Sequence, residues 1–92
     1  MAKSMTYNNI SSTIWECVKA TSYSEHGTIY QPAGAPSGTA TTDTPIGQVV
    51  LSFNYESTKE SVSYTIQKKP FIVGDSTIWN GIEETIEHCS SM

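Results

Sequence analysis

The residues most able to do chemistry are few: Cys17, Cys89, His26, His88 and an acidic trio, Glu83, Glu84 and Glu87. His88 beside Cys89 invites a nucleophilic-thiol reading. Successive residues of a helix point about 100° apart, however, so the imidazole and thiol do not face each other. A thiol near a helix C-terminus also meets the negative end of the dipole, which disfavours the thiolate that attack requires. No catalytic residue is assigned on that basis. Counting Cys17, His26, His88 and Cys89 as zinc ligands fails too, because structural zinc sites use chelating pairs two to four residues apart. No metal and no cofactor is expected. Glu83, Glu84 and Glu87 read as one solvated helix face. Asp43 belongs to a loop and Asp75 to a helix cap. No glycine-rich phosphate loop, nucleophile elbow or dinucleotide fingerprint is present.

The two cysteines make better sense as a pair. They stand 72 residues apart near opposite ends of the chain. A short domain that buries little core gains from such a staple, so a Cys17–Cys89 disulfide is expected.

Two features are suited to binding. One is residues 31–47, which carry three Pro and three Gly and read as a long loop. The other is a polar strand face of Ser52, Asn54, Ser61, Ser63, Thr65 and Gln67. The candidate contact surface is Tyr23 and Tyr30 together with Thr39, Thr41 and Thr42 of that loop.

Composition narrows the partners. The 92 residues carry a net charge of −4, with five lysines and no arginine. Guanine readout and phosphate clamping favour Arg, so nucleic acid is a poor partner. An acidic chain is also repelled by anionic membranes, and no segment approaches the roughly twenty apolar residues of a membrane span. The chain has 13 Ser and 12 Thr, which suits half-exposed strands. Nine aromatic residues, 10% of the chain, argue against disorder.

The elements that must position these groups follow from periodicity. Val49, Leu51, Phe53 and Tyr55 alternate with Val50, Ser52 and Asn54, and Val62, Tyr64 and Ile66 alternate with Ser61, Ser63, Thr65 and Gln67. A short polar connection between them predicts an antiparallel hairpin over 47–67 with one apolar face. Pro70 ends the second strand. Residues 76–89 predict a helix, with Asp75 or Ser76 as N-cap and Ile78, Trp79, Ile82, Ile86 and Cys89 on one face. Gly81 inside it is explained by close packing against the sheet.

The rest is less regular. Residues 1–12 read as a flexible lead-in, with a formal glycosylation triplet at Asn9-Ile10-Ser11. Over 13–22 the alternation of Thr13, Trp15 and Cys17 predicts a strand, against a competing four-residue spacing of Ile10, Ile14 and Val18. Tyr23 to Gly27 then make a turn and Thr28-Ile29-Tyr30 a short returning strand. Ser12-Thr13-Ile14-Trp15 recurs as Ser76-Thr77-Ile78-Trp79; the echo is read as coincidence, although a duplicated helix would make 12–21 helical.

The expected fold is one α+β domain, a small antiparallel sheet of about four strands packed on one face by a C-terminal helix. The expected role is that of a small secreted or surface-exposed, non-enzymatic domain acting by protein or glycan contact, monomeric and without membrane insertion. The first residues carry a lysine but no apolar run, so they are no signal peptide; a secreted or periplasmic location with the signal absent is expected, with a cytoplasmic one as the alternative. The alternative role is a cytosolic regulatory or inhibitory protein of phage or mobile-element type, and a small enzyme is the third reading.

Overall fold

The chain builds a five-stranded antiparallel sheet with both of its helices on one face. The computed structural model describes residues 3–32 and 34–91. In chain order the elements are β1 (Ser4–Tyr7), α1 (Ser12–His26), β2 (Ile29–Gln31), β3 (Ser37–Thr44), β4 (Gly47–Glu56), β5 (Ser61–Lys68) and α2 (Asp75–Ser90). The strand order is β1-β5-β4-β3-β2. The sheet is therefore a meander from β2 to β5, closed on its far side by the first strand.

The hairpin stands as its alternation requires. Phe53 pairs with Tyr64 and Tyr55 with Val62, and Leu51, Phe53, Tyr55, Val62, Tyr64 and Ile66 are all buried. Their neighbours Ser52, Asn54, Ser63, Thr65 and Gln67 face outward; Ser61, read with them, is itself buried. The C-terminal helix also stands, with Trp79 and Cys89 buried and Ile78, Ile82 and Ile86 packed against the core. Its N-cap differs: Gly74 occupies that place with no side-chain cap. Asp75 is the first helical residue, buried and 3.6 Å from the Lys69 ammonium, an ion pair that ties the 69–74 connection to the helix start.

Three segments depart from the sequence reading. Residues 13–22 are helix, not strand, and Tyr23 to His26 continue that helix to its end rather than making a turn between strands. The Ser11 hydroxyl accepts from the Ile14 amide at 3.2 Å, and Gly27, with φ 69°, receives the C-terminus in the left-handed conformation. Between these caps Trp15, Val18 and Ser22 make a three-four-spaced buried stripe. The two copies of Ser-Thr-Ile-Trp thus both begin helices.

Residues 31–47 are not a loop, since eight of them form β3, held between β4 and β2. The prolines bracket the strand, and its threonines supply β-propensity. Only Gly38 interrupts it. A Cβ there would collide with the Gln31 carbonyl, so the close passage of β2 requires glycine. Within the lead-in, whose first two residues lie outside the described ones, β1 pairs with β5, and Ile10 is fully buried, its amide donating to the Glu60 carbonyl at 2.7 Å.

One ring anchors α1. Trp15 lies 5.1 Å from Tyr55, nearly parallel to it, and within 6.5 Å of Tyr30, Phe53 and Tyr64. The Tyr55 hydroxyl donates to the Ile10 carbonyl at 2.8 Å, so the same cluster holds the entry to the helix. One residue pair past Trp15, the Cys17–Cys89 disulfide joins α1 to α2 with Cα atoms 5.8 Å apart. The pairing is the expected one, although Cys17 rides on a helix. Thr21 Oγ1 sits 3.7 Å from each sulfur.

Cross-linking across 72 residues removes loop-closure entropy worth about 4 kcal/mol from the unfolded chain. The double substitution Cys17→Ser, Cys89→Ser should lower unfolding free energy in urea by about that amount. A loss under about 1 kcal/mol would mean that the helices hold their places without the bond.

Candidate functional site

The two helices run in opposite senses, since Cys17 meets Cys89 while Ser22 and His26 of α1 face Thr77, Ile78 and Gly81 of α2 across a common space. That space is a cleft of about 240 Å³ between the unstapled ends of the helices and the sheet. Its apolar lining is Val18, Ala40, Val49, Leu51, Val73, Ile78 and Ile82. Among the described residues no lining group is an acid, a lysine or an arginine.

The cleft follows from side-chain size. Along the buried stripe of α1 the residues shrink from Trp15 to Val18 to Ser22. The sheet beneath presents Ala40 and Thr42, and α2 presents Gly81 and Thr77. Small residues on three converging elements leave volume that interior packing would otherwise fill. Gly81 is the telling one. A Cβ built there meets nothing within 4 Å, so close packing does not explain the glycine, contrary to the sequence reading. It leaves open space on the flank of α2 that borders the cleft.

Hydroxyls supply the polar part. Tyr30 and Tyr64 join through their phenolic oxygens at 2.8 Å, and Ser22 also bonds Tyr30. Thr28 and Thr42 pair at 2.6 Å. Burial raises the pKa of Tyr30, against the lowering effect of its hydrogen bonds to Tyr64 and Ser22. It raises Tyr64 well above the usual phenol value, reinforced by Tyr30. The cleft therefore presents neutral phenols. Beyond it, Tyr7 is pushed from 10.0 up to about 12 by burial and then by Glu83, and its hydroxyl has no hydrogen-bond partner among the described residues.

The sequence candidates fall in separate places. Tyr23 is exposed on the outside of α1, Thr39 and Thr41 lie on the open sheet face, and Tyr30 and Thr42 face the cleft. The five do not form one surface. Ser4 bonds Thr65 and Thr6 bonds Ser63, each at 2.9 Å, so the open face is a network of paired hydroxyls. Cys17 and Cys89 are consumed by their bond, and His88 is exposed on the last turn of α2. Among the described residues no three His, Cys, Asp or Glu side chains gather to hold a metal, and no helix is long and apolar enough to cross a membrane. Sequence reasoning missed Val18, Ser22, Ala40 and Val49 as site residues; the one local signal was the mid-helix glycine. No family model, curated protein or solved structure matches the chain.

Two outcomes follow from this geometry. Gly81→Ala should stabilise the protein by about 1 kcal/mol, because helix propensity improves and the methyl meets no neighbour; an unchanged or lowered melting temperature would contradict it. Phenols with raised native pKa values bind their protons more tightly folded than unfolded. Their stabilisation is complete below pH 10 and is lost as pH rises from 10 toward about 12, as the Tyr7 shift requires. Urea midpoints measured across that window should fall, and Tyr7→Phe should flatten the fall.

Proposed function

We propose that the chain is a non-enzymatic binding domain that takes a small apolar molecule in the cleft between α1, α2 and the sheet. The observation that carries the reading is the cleft itself: about 240 Å³, apolar over most of its lining, with a few converging hydroxyls. Well-formed apolar pockets with few polar groups are the usual form of small-ligand sites. Catalysis would need a base, a nucleophile or a metal beside the guest. Here the lining offers hydroxyls, and His26 at the exposed end of α1. The disulfide fits a secreted or periplasmic setting, which we adopt for this role.

A contact role toward a protein partner rests on a separate observation. Phe71 and Ile72, in the connection before α2, are 93% and 66% exposed. Large apolar groups so exposed are the kind that partners cover. Replacing Phe71 with Ser should leave stability unchanged, and any partner lost by that variant is assigned to this connection.

Toluene is a direct test of the cleft. Titrated into labelled protein, it should shift the amide resonances of Val18, Val49, Ile78 and Ile82 together and saturate. Gly81→Leu and Ala40→Leu, which place a side chain into the space from the helix and from the sheet, should remain folded and abolish those shifts. No saturable shift in the native protein, or equal shifts in both variants, would overturn the reading.

A further inference from the structure

The lining restricts the guest further than its volume does, and this inference rests on the cleft being a binding site. Charge is excluded first. Among the described residues no carboxylate, ammonium or guanidinium borders the space, and the helix ends that do border it present Ser22, His26, Thr77 and Gly81. Away from His26, which is exposed at the end of α1, a charged head buried there would lose water without gaining a counter-ion, a loss far greater than any gain from its apolar body. The net charge of −4 adds long-range repulsion of anions.

Size is bounded next. An apolar cavity of about 150 Å³ admits benzene, so one of 240 Å³ has room for about ten non-hydrogen atoms.

Polarity comes last. The two phenols of Tyr30 and Tyr64 hold two protons, and the bond between them uses one. Ser22 adds a third hydroxyl on Tyr30. Such a cluster retains both donor and acceptor capacity for one more oxygen. The lining also includes Val49, Ile78 and Ile82, which offer no hydrogen bond.

We propose that the cleft selects an uncharged, mainly apolar molecule of about ten non-hydrogen atoms that carries a single hydroxyl or carbonyl, its oxygen joining the Tyr30–Tyr64 pair while its apolar body lies along Val49, Ile78 and Ile82. The raised phenol pKa values keep this donor pair neutral at every ordinary pH.

Four probes of one shape separate the terms: p-cresol, p-xylene, 4-methylbenzoate and 4-methylbenzylamine, titrated calorimetrically at pH 7. The two neutral compounds should bind, p-cresol at least as tightly as p-xylene although its hydroxyl must leave water. The two ions should bind at least a hundredfold more weakly. Tyr30→Phe should weaken p-cresol about tenfold and leave p-xylene unchanged, the signature of one lost hydrogen bond; Tyr64→Phe is the second variant should the first fail to fold. An ion binding as tightly as p-cresol would overturn the exclusion of charge. An equal response of p-cresol and p-xylene to both phenol deletions would overturn the placement of the oxygen. Binding by neither neutral compound would remove the cleft as a site, and with it the function proposed above.

Discussion

The Cys17–Cys89 bond determines where the two helices meet and therefore where they part. A sheet with one apolar face needs a cover, and two antiparallel helices supply it. The covalent link lies at the end of the sheet where Trp15 stacks on Tyr55 and touches Phe53. At that end the space between helix and sheet is filled by rings. Toward the other end the side chains of α1 diminish while the helix, being rigid, does not follow them down. The gap that results is the cleft. Its position is thus a consequence of one bond and one tryptophan, both remote from most of its lining.

The legible parts of the fold were those with a complete local period. The two strands of the hairpin alternate from Leu51 to Tyr55 and from Val62 to Ile66, and α2 repeats its apolar residues every three or four places, so each announces both its type and its buried face. The first helix does not. Trp15 and Cys17 mimic a strand, and β-branched neighbours reinforce the error. What decides for helix is capping, Ser11 at one end and Gly27 at the other, together with the tertiary contacts of Trp15. The echo of Ser-Thr-Ile-Trp held the same information. β3 was hidden for another reason. Half of its eight residues are threonine, so neither face looks apolar, and flanking prolines gave the stretch the composition of a loop. The strand exists because β4 on one side and β2 on the other satisfy its backbone. β1 depends in the same way on the free edge of β5.

The cleft was less legible than the fold because no segment contains it. Val18 and Ser22 come from one helix, Ile78 and Gly81 from the other, Ala40 and Thr42 from β3, Val49 and Leu51 from β4, and Tyr64 from β5. Each is unremarked among its sequence neighbours. A cavity is a property of absent volume, and absence leaves no periodic trace. The Tyr30–Tyr64 pair likewise joins residues 34 positions apart. The glycine inside α2 was the one visible anomaly, and packing against the sheet was the wrong explanation for it.

The energetics make that anomaly informative. The cleft leaves apolar lining without packed neighbours, and the dispersion contacts forgone there are a cost to the fold. Single changes on the helix or the floor, such as a larger side chain at Gly81 or Ala40, would recover part of it. Gly81 carries a further cost of its own in helix propensity. Two independent costs thus fall on the same space, one of volume and one of backbone, and nothing in the packing around Gly81 requires the second. A guest that fills the space returns the first cost directly, since any molecule that binds only the folded state stabilises it. Occupancy is the condition under which this arrangement of small residues ceases to be a burden on the fold.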